Sequence, residues 1–266
     1  MTSSRSGKSK MKLSQPVALV TGAGSGIGRA TAFKLGKEGV RVAICDRDQD
    51  RLAETCRAMS DEGIAVSAHL CDVSRRDQVD QVVQAILERY ERVDILINNA
   101  GVSKRNPIDD SEDAIWHEIL ATNLNGVYFC AQSALLGMPM GGRIVNIASI
   151  SGKVGTPGYT AYCASKHAVI GFTRALALEV ASRKITVNAV CPGWTETGMA
   201  RAEIEESGRL EGSSYQQIEA AVLKDIPLGE FISPARIADY VYFLISPAAA
   251  NITGQALNIS GGEVMH

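Results

Sequence analysis

Short apolar runs alternate with longer amphipathic stretches along almost the whole chain. The runs lie at residues 17–20, 42–45, 65–69, 95–97, 144–147, 186–189 and 256–259. Strands buried on both faces read as short continuous apolar runs of this kind. Between them lie helical segments, among them residues 50–59, 75–90 and 161–181. Strand–helix alternation predicts βαβ units, and so an α/β fold: one doubly wound domain with a seven-stranded parallel sheet and helices on both faces. A chain of 266 residues suffices for one such core, and no linker or repeat marks a second. The domain is expected over residues 15–266. Residues 1–14 are basic and polar without an apolar signal core, and read as a disordered tail. One long interruption, residues 198–226, is polar with weak helical patterning, so a lid is expected over about 195–228.

The first run ends in Thr21-Gly22-Ala23-Gly24-Ser25-Gly26-Ile27-Gly28 and opens into a helix. A glycine-rich strand-to-helix turn lets backbone N–H groups approach a pyrophosphate at the helix's positive end. The spacing is not the common G-x-G-x-x-G, and no Gly-Lys-Ser/Thr follows to make a P-loop. Asp46 ends the second run. A carboxylate there can accept hydrogen bonds from both adenosine ribose hydroxyls and would repel a 2′-phosphate. One pair of unit charges at ~4 Å and effective dielectric ~20 repels by roughly 4 kcal/mol. NAD(H) is therefore expected over NADP(H), with Arg47 as the neighbour able to neutralise a phosphate.

Tyr162 and Lys166 are spaced to share one helix face. A phenol titrates near ~10 unperturbed, and an adjacent ammonium would lower that value toward useful acid/base chemistry. Ser149, from another segment, could hold a substrate oxygen beside them. Alone, Tyr-x-x-x-Lys is common by chance, and the surrounding motifs decide.

With those motifs in place, the chain resembles the short-chain dehydrogenase/reductase family over about residues 16–262. The resemblance rests on the Thr21–Gly28 turn, Asp72-Val73, Asn98-Asn99-Ala100-Gly101, Asn123 in Thr-Asn-Leu-Asn, Ser149, Tyr162-x-x-x-Lys166, Pro192-Gly193-Trp194-Thr195-Glu196-Thr197, Ile252-Thr-Gly-Gln255 and Gly261-Gly262. It implies a Rossmann-like domain in which Gly22, Ser25, Gly26, Ile27 and Gly28 hold the cofactor phosphates and Asp46 the ribose. Asp72 and Val73 would hold the adenine. Asn99, Ala100 and Gly101 would line the cofactor path, with Pro192, Gly193, Thr195 and Thr197 toward the nicotinamide. Catalysis would fall to Asn123, Ser149, Tyr162 and Lys166, with Tyr162 as acid/base and Lys166 also on the nicotinamide ribose. Asn123 would hold a water through a local helix irregularity. Ser149, Tyr162 and Trp194 would meet the substrate.

The implied activity is interconversion of a secondary alcohol and a ketone with NAD(H) preferred and NADP less favoured. Parts of the chain, including residues 179–189, look like 3-oxoacyl reductases and polyketide ketoreductases, and Arg183 sits where such reductases often carry a docking arginine. That leaves open an NADPH-dependent 3-oxoacyl or polyketide-type ketoreductase. A catalytically silent NAD-binding scaffold is the non-enzyme alternative. Lys104, Arg105 and Lys153 are placed to favour an anionic substrate at the cleft mouth.

A net charge of −2 offers no broad basic surface for nucleic acid. The six cysteines and four histidines are scattered, so neither a metal site nor a disulfide framework is expected. No run is long enough to span a membrane, and a cytoplasmic protein is expected. The partners expected are a small-molecule alcohol or ketone and further copies of the chain. The resemblance implies a homotetramer or homodimer built through the helices holding Asn123 and Tyr162.

Overall fold

The computed structural model describes residues 15–109 and 112–266; the predicted tail at 1–14 lies outside the described residues. Seven strands form one parallel sheet: β1 (Val17–Thr21), β2 (Arg41–Asp46), β3 (Val66–Leu70), β4 (Ile95–Asn98), β5 (Arg143–Ile147), β6 (Thr186–Pro192) and β7 (Ala256–Ile259). Their order is β3-β2-β1-β4-β5-β6-β7, with every neighbouring pair parallel. Each expected run lies on one of them.

The sheet is covered on both faces because alternate side chains of each strand point to opposite sides. Leu19, Ala43, Leu96, Ile144 and Val187 pack under α3 (Arg76–Tyr90), α5 (Gly126–Gly137) and α6 (Thr160–Glu179). Val20, Ile44, Ile97, Val145 and Val190 pack under α1 (Gly26–Lys37), α2 (Gln49–Asp61) and α9 (Pro234–Ile245). Fully burying one such side chain is worth about 1.5–3 kcal/mol. The chain winds outward from β1 to β3, then returns to lay β4 on the other side of β1. That reversal opens a crevice beyond the carboxyl ends of β1 and β4, where ligands of open α/β sheets bind.

The helix α4 (Asp113–Leu120) runs through one wide π-turn (Ala121–Asn125) into α5. The lid differs from the irregular segment expected. It folds as two helices, α7 (Gly198–Glu211) and α8 (Tyr215–Asp225). Thr197 caps the first, and Ser214 with Gln217 forms a capping box on the second. α8 buries no residue, so it carries no apolar stripe for periodicity to reveal.

Candidate active site

The crevice is a cleft of about 970 Å³. All the predicted cofactor, catalytic and substrate residues line it except Gly28 and Asn123, which lie just behind its wall. A second cleft of about 1000 Å³ lies beyond α7, toward α1 and α9, and is lined by none of Ser149, Tyr162 and Lys166.

The floor is built by close backbone approach. Gly22 has φ +62°, and a Cβ there would fall 2.7 Å from the Ala100 Cα. Only glycine fits such a position without strain. Gly28 backs this turn: a methyl on it would overlap the Gly22 carbonyl oxygen and the Asn99 amide nitrogen. Thr21 staples β1 to the loop after β4, its hydroxyl accepting the Asn99 and Ala100 N–H groups at 3.0 Å each. The Asn99 amide returns two bonds, to the Thr21 and Gly22 carbonyls at 2.9 and 3.0 Å.

Asp46 sits at the end of β2 with both oxygens engaged. They accept the N–H groups of Gly24 at 2.9 Å and Asp48 at 3.0 Å. Arg47 lines the cleft beside it, with its guanidinium 4.0 Å from Glu118 on α4. Asp72 holds the turn after β3 by accepting from the Ser74 N–H and hydroxyl.

On the opposite wall, α6 presents Tyr162 and Lys166. No residue of its own caps this helix; Asn106 does so from a distant loop, accepting the Ala161 N–H at 3.1 Å and donating to Thr160. Lys166 is buried; its Nζ donates to the Ile147 carbonyl at 2.9 Å and lies 5.6 Å from the Tyr162 ring centre. Ser149 follows β5, at the start of the turn after it, within hydrogen-bonding reach of the Tyr162 phenol. Asn123 lies in the π-turn, the irregularity the resemblance implied. Its side chain clamps Val102 through both backbone groups, at 2.8 and 2.9 Å, and donates to Ser165 at 3.1 Å.

The electrostatics differ from the expected depression of Tyr162. Burial pushes its phenol up to about 12, only partly opposed by Ser149. Burial also pushes the Lys166 ammonium down to about 8. The same desolvation disfavours phenolate and ammonium together.

Several of the basic residues singled out in the sequence are engaged within the chain. Lys153 donates to the Ala256 and His266 carbonyls at 2.7 and 2.8 Å and does not line the cleft. Lys104 lines it but pairs with Glu118 at 2.5 Å. Arg105 lies against Gly158, outside the lining. Arg183 donates to the Leu135 and Met138 carbonyls, tying down the end of α5. Trp194 both lines the cleft and packs on Phe231, ring centres 6.4 Å apart. Sequence reading missed Tyr159, Glu203 and Glu263, which also line the cleft. No local pattern marks them, because their orientation depends on how the lid and the C-terminal segment pack.

Residues 22–263 match a family model described as enoyl-(acyl carrier protein) reductase. A Streptomyces coelicolor protein named as a ketoacyl reductase is 42% identical over 92% of this chain and 96% of its own length. A 3-oxoacyl-[acyl-carrier-protein] reductase of Vibrio harveyi is 37% identical over 96% of this chain and all of its own. Among solved structures, an actinorhodin polyketide ketoreductase variant with NADPH superposes at TM-score 0.91 with 42% identity, over 94% of this chain and 97% of that one. The glycine turn, the switch-point crevice and the Ser–Tyr–Lys wall thus stand in a chain that belongs to the short-chain dehydrogenase/reductase family.

Proposed function

We propose that this chain interconverts a ketone and a secondary alcohol by hydride transfer, with NAD(H) preferred and Tyr162 as acid/base. The observation that carries this reading is convergence: Ser149, Tyr162 and Lys166 face the same cleft as the glycine turn. The turn's side-chain-free floor, where Gly22 leaves no room for a Cβ, fits a dinucleotide. Gly22, Ser25, Gly26 and Ile27 would hold its phosphates, with Gly28 shaping the turn from behind. Asp46 would hold the ribose, Asp72 and Val73 the adenine, and Asn99 to Gly101 the path between. Pro192, Gly193, Thr195 and Thr197 would face the nicotinamide end. The nicotinamide supplies the hydride and, when oxidised, a positive charge.

Ser149 donates to the substrate oxygen and steadies charge as it develops there. Tyr162 moves the proton at that oxygen. Lys166, buried beside it, stabilises the phenolate, and Asn123 fixes the Val102 backbone behind it. Trp194 forms an apolar wall for the substrate.

The position of Asp46 supports NAD(H), since its carboxylate is fixed at the turn where a 2′-phosphate would come. A second reading, an NADPH-dependent 3-oxoacyl or polyketide-type ketoreductase, is favoured by the names of the relatives, by the NADPH of the actinorhodin neighbour and by Arg47 in the same cleft. The engaged state of Arg183 argues against its use as a free docking cation. We also infer a homodimer or homotetramer, supported by the exposed Tyr128, Leu136 and Leu178 on α5 and α6. No described helix is long and apolar enough to cross a membrane.

The test is turnover of a carbonyl and alcohol panel spanning acyl thioesters, polyols and cyclic alcohols, with NADH and NADPH, against Tyr162→Phe as the blank. Tyr162-dependent turnover is expected, with a loss of several orders of magnitude in the variant. Cofactor binding without turnover on any substrate would favour the silent scaffold.

A further inference from the structure

The lid turns one acidic side chain toward the reaction centre. On α7, Arg201, Ala202 and Glu205 are exposed, whereas Glu203 lines the cleft with Ser149, Tyr159 and Tyr162. Tyr159 is buried at the start of α6, and its phenol lies within hydrogen-bonding reach of the Glu203 carboxyl. Glu203 and Tyr162 line the same cleft, so the carboxyl and the phenol can face one bound substrate. Burial pushes this carboxyl up to about 7, with Tyr159 opposing and Glu206 reinforcing the rise. Among the described residues, no arginine or lysine forms an ion pair with it. A carboxyl has about four lone-pair sites, and one phenol satisfies only one of them. Glu203 is half-buried in the cleft wall, and a purely apolar substrate seated against it would take water from the remaining sites without replacing its hydrogen bonds.

We propose that Glu203 selects the substrate by accepting a hydrogen bond from a hydroxyl or ammonium substituent carried next to the reacting carbonyl, and that it rejects a carboxylate in that place. This rests on the ketone–alcohol reading above and narrows it to donor-bearing ketones.

The test compares kcat/KM for 3-hydroxy-2-butanone, 3-amino-2-butanone, 2-butanone and 2-oxobutanoate in the native enzyme, Glu203→Leu, Glu203→Gln and Tyr162→Phe. The quantity read is each ketone's ratio to 2-butanone within one protein, so a variant's folded fraction cancels. In the native enzyme the hydroxy- and aminoketone should exceed 2-butanone by roughly tenfold or more, hydrogen bonds to charged groups being the strong class. Both ratios should fall to within about twofold of unity in Glu203→Leu, on the same grounds. Glu203→Gln keeps an acceptor oxygen, so it should retain part of the hydroxyl preference and lose the ammonium preference. The 2-oxobutanoate ratio should rise in both variants. Equal ratios in native and variant proteins, with turnover still Tyr162-dependent, would overturn the role of Glu203 and leave the ketone–alcohol reading standing. Absence of Tyr162-dependent turnover for all four ketones would overturn that reading and the role of Glu203 with it.

Discussion

Gly28→Ala sets two physical effects against each other. Gly28 opens the first turns of α1, where alanine is the better helix former by about 1 kcal/mol. Its φ is not positive, so no backbone strain opposes the change. Space does. The new methyl would overlap the Gly22 carbonyl oxygen and the Asn99 side-chain nitrogen, both parts of the packed turn. Overpacking costs about 1–3 kcal/mol. Displacing Asn99 forfeits its two bonds to the Thr21 and Gly22 carbonyls, about 1 kcal/mol each. The net expectation is a loss of about 2–4 kcal/mol, a fall in Tm of roughly 5–15 °C for a domain of this size. The displaced turn should also weaken NADH binding at least about tenfold, the equivalent of ~1.4 kcal/mol. Thermal unfolding followed by circular dichroism reads the first, and titration of cofactor against tryptophan fluorescence reads the second. A raised Tm together with unchanged NADH affinity would mean helix propensity governs this position and would refute the steric account.

Asp46→Asn removes the carboxylate charge and one of its two backbone bonds, and should shift the NADH-to-NADPH ratio of Kd roughly tenfold toward NADPH. Solvent screening reduces the full repulsion to about that size, and an unchanged ratio in calorimetric titration would refute the assignment. Lys166→Met should abolish turnover yet raise stability at pH 7 by about 1–3 kcal/mol, because it removes a charge whose burial is disfavoured. The sign follows from a folded value of about 8, below the ordinary lysine value of 10.5: the unfolded chain binds the proton more tightly, so the native protein gains stability as pH rises from 8 to 10.5. Denaturant titrations across that window should show the gain in the native protein and its absence in Lys166→Met.

The strands were legible because burial on both faces leaves an uninterrupted apolar run, and that signal is local. The pair Tyr162 and Lys166 was legible for a similar reason, since helical spacing alone puts them on one face. The lid was not. Its helices pack few residues inward, and α8 none, so their evidence lay in caps such as Ser214 with Gln217 rather than in periodicity. Lys153 was misplaced because nothing in the sequence says which carbonyls a long cationic side chain will find. Glu203 was missed because a glutamate in a polar segment reads as solvated surface until the lid's packing turns it inward.

The sequence by itself determined the seven strands, the glycine turn that follows the first, and the spacing that sets a lysine beside a tyrosine. These depend on neighbours within one element or one turn. Tertiary structure alone decided that Ser149 reaches Tyr162, that Asn106 caps α6 from another loop, and that Glu203 faces the cleft. It also decided that burial drives Tyr162 up and Lys166 down. Those outcomes are set by how much water each group loses and which distant atoms replace it, and both are fixed only when the sheet, the helices and the lid have packed.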